Sequence, residues 1–376
     1  MKRLVLLGGG HANIEVLRQL ALRPAGELHD LSVSLVTPRP WLIYTGMLPG
    51  HIAGHYGFNE CAIDLKLLAH RARADVVQTT ASLVSPGANE VVCADGTVLG
   101  YDVLSINVGS RPQIGTARGV DAFAFRVRPL ERVIEGWNAV YARTAQEEVD
   151  SITIVGGGAG GVELALAMNY RLRSTLDPPH PKVRLLSDAM GADLLPRTRH
   201  LLQQQMRRAG VDFHFGSAVA EVGRDFVRLE SGIEFATEAT FWITGPAAQD
   251  WIRDSGLGVD AGGYLLTNSL MQSLSHPNIF GAGDCASIDG EPRPKAGVFA
   301  VHAAPVLAGN LLAAITGQAL RPHVPQRNFL SLISTGEQRA VGAWNGFSWQ
   351  GRWAWRWKDR IDRRFMAQYR ADAPIR

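Results

Sequence analysis

Residues 151–168 read SITIVGGGAGGVELALAM. Five residues with β-branched weight are followed by glycines, then by an apolar-periodic run, so the stretch reads as strand, tight turn and helix. Gly156, Gly158 and Gly161 stand in the spacing that cradles a dinucleotide. The first permits the turn, the second lets backbone approach a pyrophosphate, and the third allows close helix–strand packing. The pyrophosphate would sit on the free N–H groups at the helix start, with Ala159 and Gly160 beside it. The next strand, 182–187, ends at Ser187-Asp188. An acid there accepts from a ribose 2′-OH and repels a 2′-phosphate, which favours NADH; Asp188, or Ser187 in its place, is the candidate. Arg184, Arg197 and Arg199 lie close enough in sequence to offset that preference.

Working outward, residues 3–20 repeat the pattern as RLVLLGGGHANIEVLRQL, 148 positions earlier. That offset is too long for a solenoid and suits two nucleotide domains, each opening on its own βαβ unit. The first turn has Gly8 and Gly10, but Asn13 stands at the third glycine position. Asn is bulkier, and the expectation is a helix held slightly off its strand. Val36-Thr37-Pro38 replaces the strand-end acid. Asp95-Gly96 and Ser231-Gly232 mark antiparallel hairpins in the two halves. After Thr244 only one more strand (278–281) and one long helix (298–316) follow. That is too little for a third nucleotide domain, so the chain is expected to return and complete the first.

The fold class is therefore α/β: two Rossmann-like domains, each three-layered with a parallel sheet and an antiparallel insert, plus a small α+β C-terminal region. The expected boundaries are 1–115 with 246–320, 116–245, and 321–376. The chain has 376 residues, 46% apolar and 19% charged, which excludes a mostly disordered protein. Net charge is +3, too little to argue for nucleic acid. Residues 345–376 hold eight Lys/Arg against three Asp, so the positive excess sits in the tail. Cys61, Cys93 and Cys285 lie far apart, which excludes a CxxC-type dithiol and a disulfide scaffold and points to a reducing, cytoplasmic setting. Met1-Lys2-Arg3 is followed by only four apolar residues before glycine, too few for a secretion signal. The uncharged stretch 296–320 is interrupted by His302, Pro305, Asn310 and Gln318 and reads as a buried helix rather than a span. No metal-ligand spacing is present.

A third segment, residues 275–284 (SHPNIFGAGD), ends a strand in Gly283-Asp284, where a carboxylate can accept from polyol hydroxyls. This resembles the second flavin motif of two-dinucleotide-binding-domain flavoproteins, in which the Asp holds the ribityl chain of FAD. Residues 101–110 (YDVLSINVGS) and 240–246 (TFWITGP) resemble that group's domain crossovers. The whole chain to about Tyr369 resembles the pyridine nucleotide-disulfide oxidoreductase superfamily. The type II NADH dehydrogenase-like group is nearest, because it also lacks the redox dithiol. Three phrases, 6–12 (LLGGGHA), 44–55 (YTGMLPGHIAGH) and 356–366 (RWKDRIDRRFM), resemble a subfamily found alone or fused to selenophosphate synthetase (selenide, water dikinase).

The resemblance implies an FAD site at Gly8, Gly10, His11, Ala12, Asn13, Thr37, Pro38, Arg39, Ala81, Asn107, Gly109, Ser110, Gly283, Asp284, Lys295, Ala296, Gly297 and Phe299. It implies an NAD(P)H site at Gly156, Gly158, Ala159, Gly160, Gly161, Glu163, Ser187, Asp188, Thr244 and Gly245. The helix after Lys295 would aim its N-terminus at the flavin, and Lys295 would add a full charge there. Glu163 would reach the flavin–nicotinamide contact, and with Lys295 forms the catalytic pair. Cys285 reads as a small residue packed under the cofactor. The implied activity is hydride transfer from NAD(P)H to FAD, then electron transfer to a quinone, a soluble carrier, or a selenium or sulfur compound. The alternative is a flavin redox sensor or docking partner in selenium metabolism. Trp353, Trp357, Ile361, Phe365 and Tyr369 fall four apart and form one apolar stripe, with Arg352, Arg356, Arg360 and Arg363 on another face. Residues 352–369 would then pack on the protein body or on a second subunit, or lie peripherally on a membrane.

Overall fold

A computed structural model of the chain describes residues 1–146, 148–191 and 194–370; Glu147, Ala192 and Asp193 of the expected middle domain and 371–376 of the expected C-terminal region lie outside the described residues. Two parallel five-stranded sheets form the frame. The first runs Ile279–Gly281, Val103–Ile106, Lys2–Leu7, Leu31–Val36, Asp75–Val77. The second runs Ala124–Arg126, Ala239–Trp242, Ser151–Val155, Lys182–Ser187, Asp212–Phe215. In both, the strand that feeds the glycine turn is central. Leu4, Leu6, Ile152 and Ile154 on those two strands are fully buried under helices, while Val5, Leu7 and Val155 on the opposite faces pack on the antiparallel inserts. The chain does return to the first sheet, through Ile279–Gly281.

Each sheet carries a three-stranded antiparallel insert: Ala81–Ser85, Glu90–Cys93 and Val98–Gly100 in the first, and Val219–Val222, Phe226–Leu229 and Glu234–Ala236 in the second. The two crossovers meet as a short antiparallel pair, Arg111–Pro112 with Pro246–Ala247. Arg111 reinforces it by donating to Ala248 O at 2.8 Å and Asp250 at 2.7 Å.

The long apolar helix Gly297–Thr316 packs on the first glycine helix, His11–Ala21. It buries Ala303, Ala304, Leu307, Ala308 and Leu311 into the core that also holds Ile14, Leu17 and Leu20. Small alanines let the two helices approach closely, so this helix is part of the interior of the fold. The C-terminal sheet has three strands: Ser331–Thr335, Glu337–Trp344 and Phe347–Gly351. The sequence pattern suggests strands over 329–334 and 339–344 only. The third follows Asn345-Gly346, whose φ values of 47° and 82° suit a two-residue hairpin turn.

The final helix, Arg352–Ala367, splits the expected stripe. Trp353, Trp357 and Ile361 are exposed, whereas Phe365 and Tyr369 are buried in the first core. Its inward face carries Ala354, Lys358 and Asp362 instead. The charged pair faces in because it has partners there, and the indoles face out.

Candidate functional site

The first glycine turn is closed by one side chain. Asn107 Oδ1 accepts from the N–H groups of Ala12 at 2.9 Å and Asn13 at 3.3 Å, while its Nδ2 donates to Ala282 O at 2.6 Å. Gly8 has φ +86°, and a Cβ on Gly10 would lie 2.3 Å from Asn107 Oδ1, so neither position admits a side chain. Asn107 thus ties the turn, its strand end and the Gly283-Asp284 segment together. Asn13 is fully buried. Its amide donates to Leu7 O and Gly8 O at 3.1 and 2.8 Å and accepts from Ser105 Oγ at 2.7 Å. The larger residue is accommodated by these bonds, which occupy its side chain within the fold.

Asp284 stands at the end of Ile279–Gly281 and is mostly buried. It accepts from Arg128 Nη2 at 2.9 Å. Arg128 also donates to Ser110 Oγ. Sequence reasoning missed Arg128, which lies between the second sheet's edge strand and the helix Leu130–Thr144 and carries no motif. Charged hydrogen bonds of this kind contribute about 1.5–3 kcal/mol, and this one joins the segment after the second sheet's edge strand to the end of Ile279–Gly281 in the first sheet. Arg39 makes a second link, to Glu131 at 3.7 Å and Glu135 at 3.5 Å. Thr37 Oγ1 donates to Arg39 O at 3.2 Å. Pro38 lies between these two, and Ala81 begins the nearby insert strand.

A cleft of about 70 Å³ is lined by Gly283, Asp284, Lys295, Ala296 and Phe299 among others. Ala296 caps the long helix, and the nearest neighbour of a Cβ on Gly297 would be Thr45 Oγ1, at 3.5 Å. Lys295 is anchored: Nζ donates to Ala286 O and to Ser287 Oγ at 2.8 Å, and lies 4.1 Å from the centre of the Tyr264 ring. Burial pulls its pKa down. Gly109 has φ +68° on the crossover loop. Cys285 Sγ donates to Ala282 O at 3.3 Å and Ile106 O at 3.4 Å, as a buried packing residue does.

The second turn is open where the first is closed. A Cβ on Gly161 would fall 1.8 Å from Gly156 O, and Gly156 itself has φ +127°. By contrast, a Cβ on Gly158 meets nothing within 4 Å and one on Gly160 only Ile243, at 3.8 Å. The start of Ala159–Thr175 therefore faces free space of the kind a pyrophosphate needs. Asp188 Oδ1 accepts from Ser187 Oγ at 3.0 Å and Ala189 N at 2.8 Å at the end of the neighbouring strand. Arg184 is buried and paired with Asp212 at 3.0 Å, which removes it as a counterweight to Asp188. On the crossover, Thr244 Oγ1 donates to Gln113 O, and Gly245 O accepts from Gln113 N at 2.7 Å.

Glu163 is held by the C-terminal region: its Oε1 accepts from Ser334 N at 2.7 Å. Near it stands Lys358, which donates to Asp362 at 2.7 Å and to Gly46 O; Asp362 in turn interacts with the Tyr44 hydroxyl, and the Tyr44 ring stacks on Phe365 at 4.5 Å. Tyr56 Oη donates to Asp359 at 2.8 Å, and Arg363 pairs with Glu60 at 2.8 Å. The sequence phrases 44–55 and 356–366 thus meet face to face. The Lys358–Asp362 pair is buried between them.

Burial pushes the Glu163 carboxyl up to about 7; the Lys358 charge and the Ser334 N–H oppose this. The folded value lies above the unfolded one of 4.5. The stabilisation is therefore complete below the unfolded value and lost as pH rises through about 7. Glu163→Gln keeps an acceptor for Ser334, so it should stabilise the fold at pH 8 by roughly 3 kcal/mol and change little at about pH 4.5. Thermal denaturation at the two pH values checks this; equal shifts at both would contradict it.

The model for the pyridine nucleotide-disulphide oxidoreductase family matches residues 2–304. A probable NADH dehydrogenase of Dictyostelium discoideum is 23% identical over 373 residues, covering 90% of this chain and 80% of that protein. The type II NADH:quinone oxidoreductase of Staphylococcus saprophyticus is 22% identical, covering 78% of this chain and 77% of that one. Among solved structures, the sulfide:quinone oxidoreductase of Aquifex aeolicus superposes with TM-score 0.79 at 19% identity, covering 98% and 92%. NDH2 from Plasmodium falciparum in complex with NADH gives 0.78 at 15% identity, covering 100% and 99%.

Proposed function

This chain belongs to the pyridine nucleotide-disulphide oxidoreductase family, and from that premise we propose that it is an FAD-dependent NADH:quinone oxidoreductase without a redox dithiol. The observation that carries the reading is the pairing of two like-ordered parallel sheets with two differently finished glycine turns. One is tied by Asn107 to the Asp284 cleft, which suits a resident cofactor. The other is open at Gly158 and Gly160, which suits a nucleotide that comes and goes. The three cysteines are free and buried, so the chemistry would be the cofactor's.

Bound FAD supplies a hydride acceptor that can pass electrons on. Asp284 accepts hydrogen bonds from its polyol, positioned by Arg128. Gly297 and Val298, at the start of the long helix, would present their N–H groups to the flavin end and stabilise negative charge there. Asp188 accepts from the nucleotide ribose and favours NADH. Glu163 holds a proton near neutral pH, close to Lys358 and Asp362. The two halves follow the boundaries 1–115 with 246–320, and 116–245. Names among the similar proteins support a quinone acceptor. The link to selenium chemistry rests on three sequence phrases alone.

A quinone acceptor places the protein at a lipid surface. Trp344, Phe347 and Trp349 share one face of the C-terminal sheet, and Trp349 stacks on Trp353 and Trp357. Phe347 is 74% exposed and Trp353 54%. With exposed Arg352, Arg356, Arg360 and Arg364 beside them, these rings form a face suited to anionic headgroups. NADH oxidation should require added quinone and accelerate with a lipophilic quinone in anionic vesicles. NADH consumed at the same rate with and without any quinone would overturn the acceptor assignment.

A further inference from the structure

Glu15 and Glu163 lie 148 positions apart, at matching places on the two glycine helices His11–Ala21 and Ala159–Thr175. Both are gripped by the chain from Ser331 onward. Glu15 Oε2 accepts from Tyr369 Oη at 3.1 Å, and Glu163 Oε1 accepts from Ser334 N at 2.7 Å. The same region enters both hydrophobic cores. Ile333 and Val341 are buried with Ile152 and Leu166 around the second glycine helix, and Phe365 and Met366 with Leu17 and Leu20 around the first. The turn after Ser331–Thr335 rests on the second helix itself: Gly336 has φ +83°, and a Cβ there would fall 2.3 Å from Leu166 O. The last strand is tied to the helix Pro196–Ala209 by Thr198 Oγ1 and Ser348 Oγ, buried and 2.8 Å apart, and by Gln205 Nε2, which donates to Gln350 Oε1 at 2.8 Å. Docking on a lipid surface needs only the outward face of this region. Its inward face spans both glycine helices, and close-packed contacts of this kind hold the two at one separation and angle.

We propose that the C-terminal region is a spacer that sets the distance between flavin and nicotinamide, with Tyr369 and the Thr198–Ser348 pair as positioning residues. The inference rests on the two nucleotide sites proposed above. Hydride transfer needs its reacting atoms about 3–3.5 Å apart, and a misplacement of about 1 Å costs roughly a hundredfold in rate. Tyr369→Phe cuts the tie to the first glycine helix and leaves Glu15 paired with Arg18 at 2.7 Å, so no buried charge is orphaned. Thr198→Val with Ser348→Ala removes both hydroxyls of the second tie, a change close to neutral for stability. The test is anaerobic stopped-flow reduction of the loaded protein at saturating NADH, with flavin content, NADH affinity and the long-wavelength charge-transfer absorbance of nucleotide stacked on flavin measured alongside. Each variant should lower the limiting reduction rate about tenfold and weaken the charge-transfer band, with flavin content and NADH affinity at wild-type values. The two ties are independent, so either variant carries the test if the other does not fold. An unchanged limiting rate and band in both would overturn the inference, as would lower flavin content with a wild-type rate in the loaded fraction. Wild-type flavin that NADH does not reduce would overturn the oxidoreductase reading itself, and this inference with it.

Discussion

Asp284→Ala protein is expected to purify largely without flavin. The carboxylate sits at a strand end, mostly buried, in a cleft shared with Gly283, Lys295, Ala296 and Phe299. Losing a charged acceptor for the polyol removes about 1.5–3 kcal/mol, which is roughly ten- to 150-fold in affinity. Arg128 is left partly buried without its carboxylate, which adds a further cost to the fold. Asp284→Asn separates the two effects. It retains an acceptor but no charge, and should fall between wild type and Ala in flavin content. Flavin content is read from the ratio of visible to protein absorbance in the folded fraction. A fully yellow Asp284→Ala protein would contradict the placement.

Gly158→Leu should give a folded, flavin-loaded protein that NADH reduces at least a hundredfold more slowly. Gly158 caps the second glycine helix with φ −68° and ψ 174°, backbone that any residue adopts. Its Cβ would enter open space, so the fold has no objection to a side chain. That space is where the pyrophosphate would bind, and losing two charge-assisted hydrogen bonds to it accounts for the effect. Gly161→Ala is the instructive contrast. Its Cβ would fall 1.8 Å from Gly156 O, so it should damage the domain instead of the binding step. Loss of flavin from Gly158→Leu with NADH binding intact would mean that the two nucleotide sites are interchanged.

Much of this frame was readable from residues 151–168 and their echo at 3–20. Glycine spacing and strand periodicity are local signals, and both parallel sheets grew from them. The return of the chain to the first sheet followed from counting strands after Thr244. What was hidden depends on contacts across large separations. Arg128 meets Asp284 across 156 positions, and nothing in its neighbourhood marks it. Asn13 looked like a departure from the glycine pattern, yet Ser105 and two strand-end carbonyls absorb it. The tail misled because its four-residue period is ambiguous: the same helix presents Trp353 and Trp357 outward and Lys358 and Asp362 inward. Only the loop 44–56, which supplies Gly46 O and Tyr44, explains why the charges turn in. Asn345-Gly346, by contrast, is a local hairpin signal that the sequence reading passed over, and the strand after it is what builds the exposed aromatic face.

The proposed electron path runs from NADH at the second turn to a flavin held at Asp284. It is tested most directly by anaerobic titration of the purified wild-type protein, following flavin absorbance as NADH is added, with Gly158→Leu alongside. Rapid bleaching of the wild-type flavin by about one equivalent of NADH, slower bleaching by NADPH, and little change in the variant are expected. A bound flavin that neither nucleotide bleaches would contradict it.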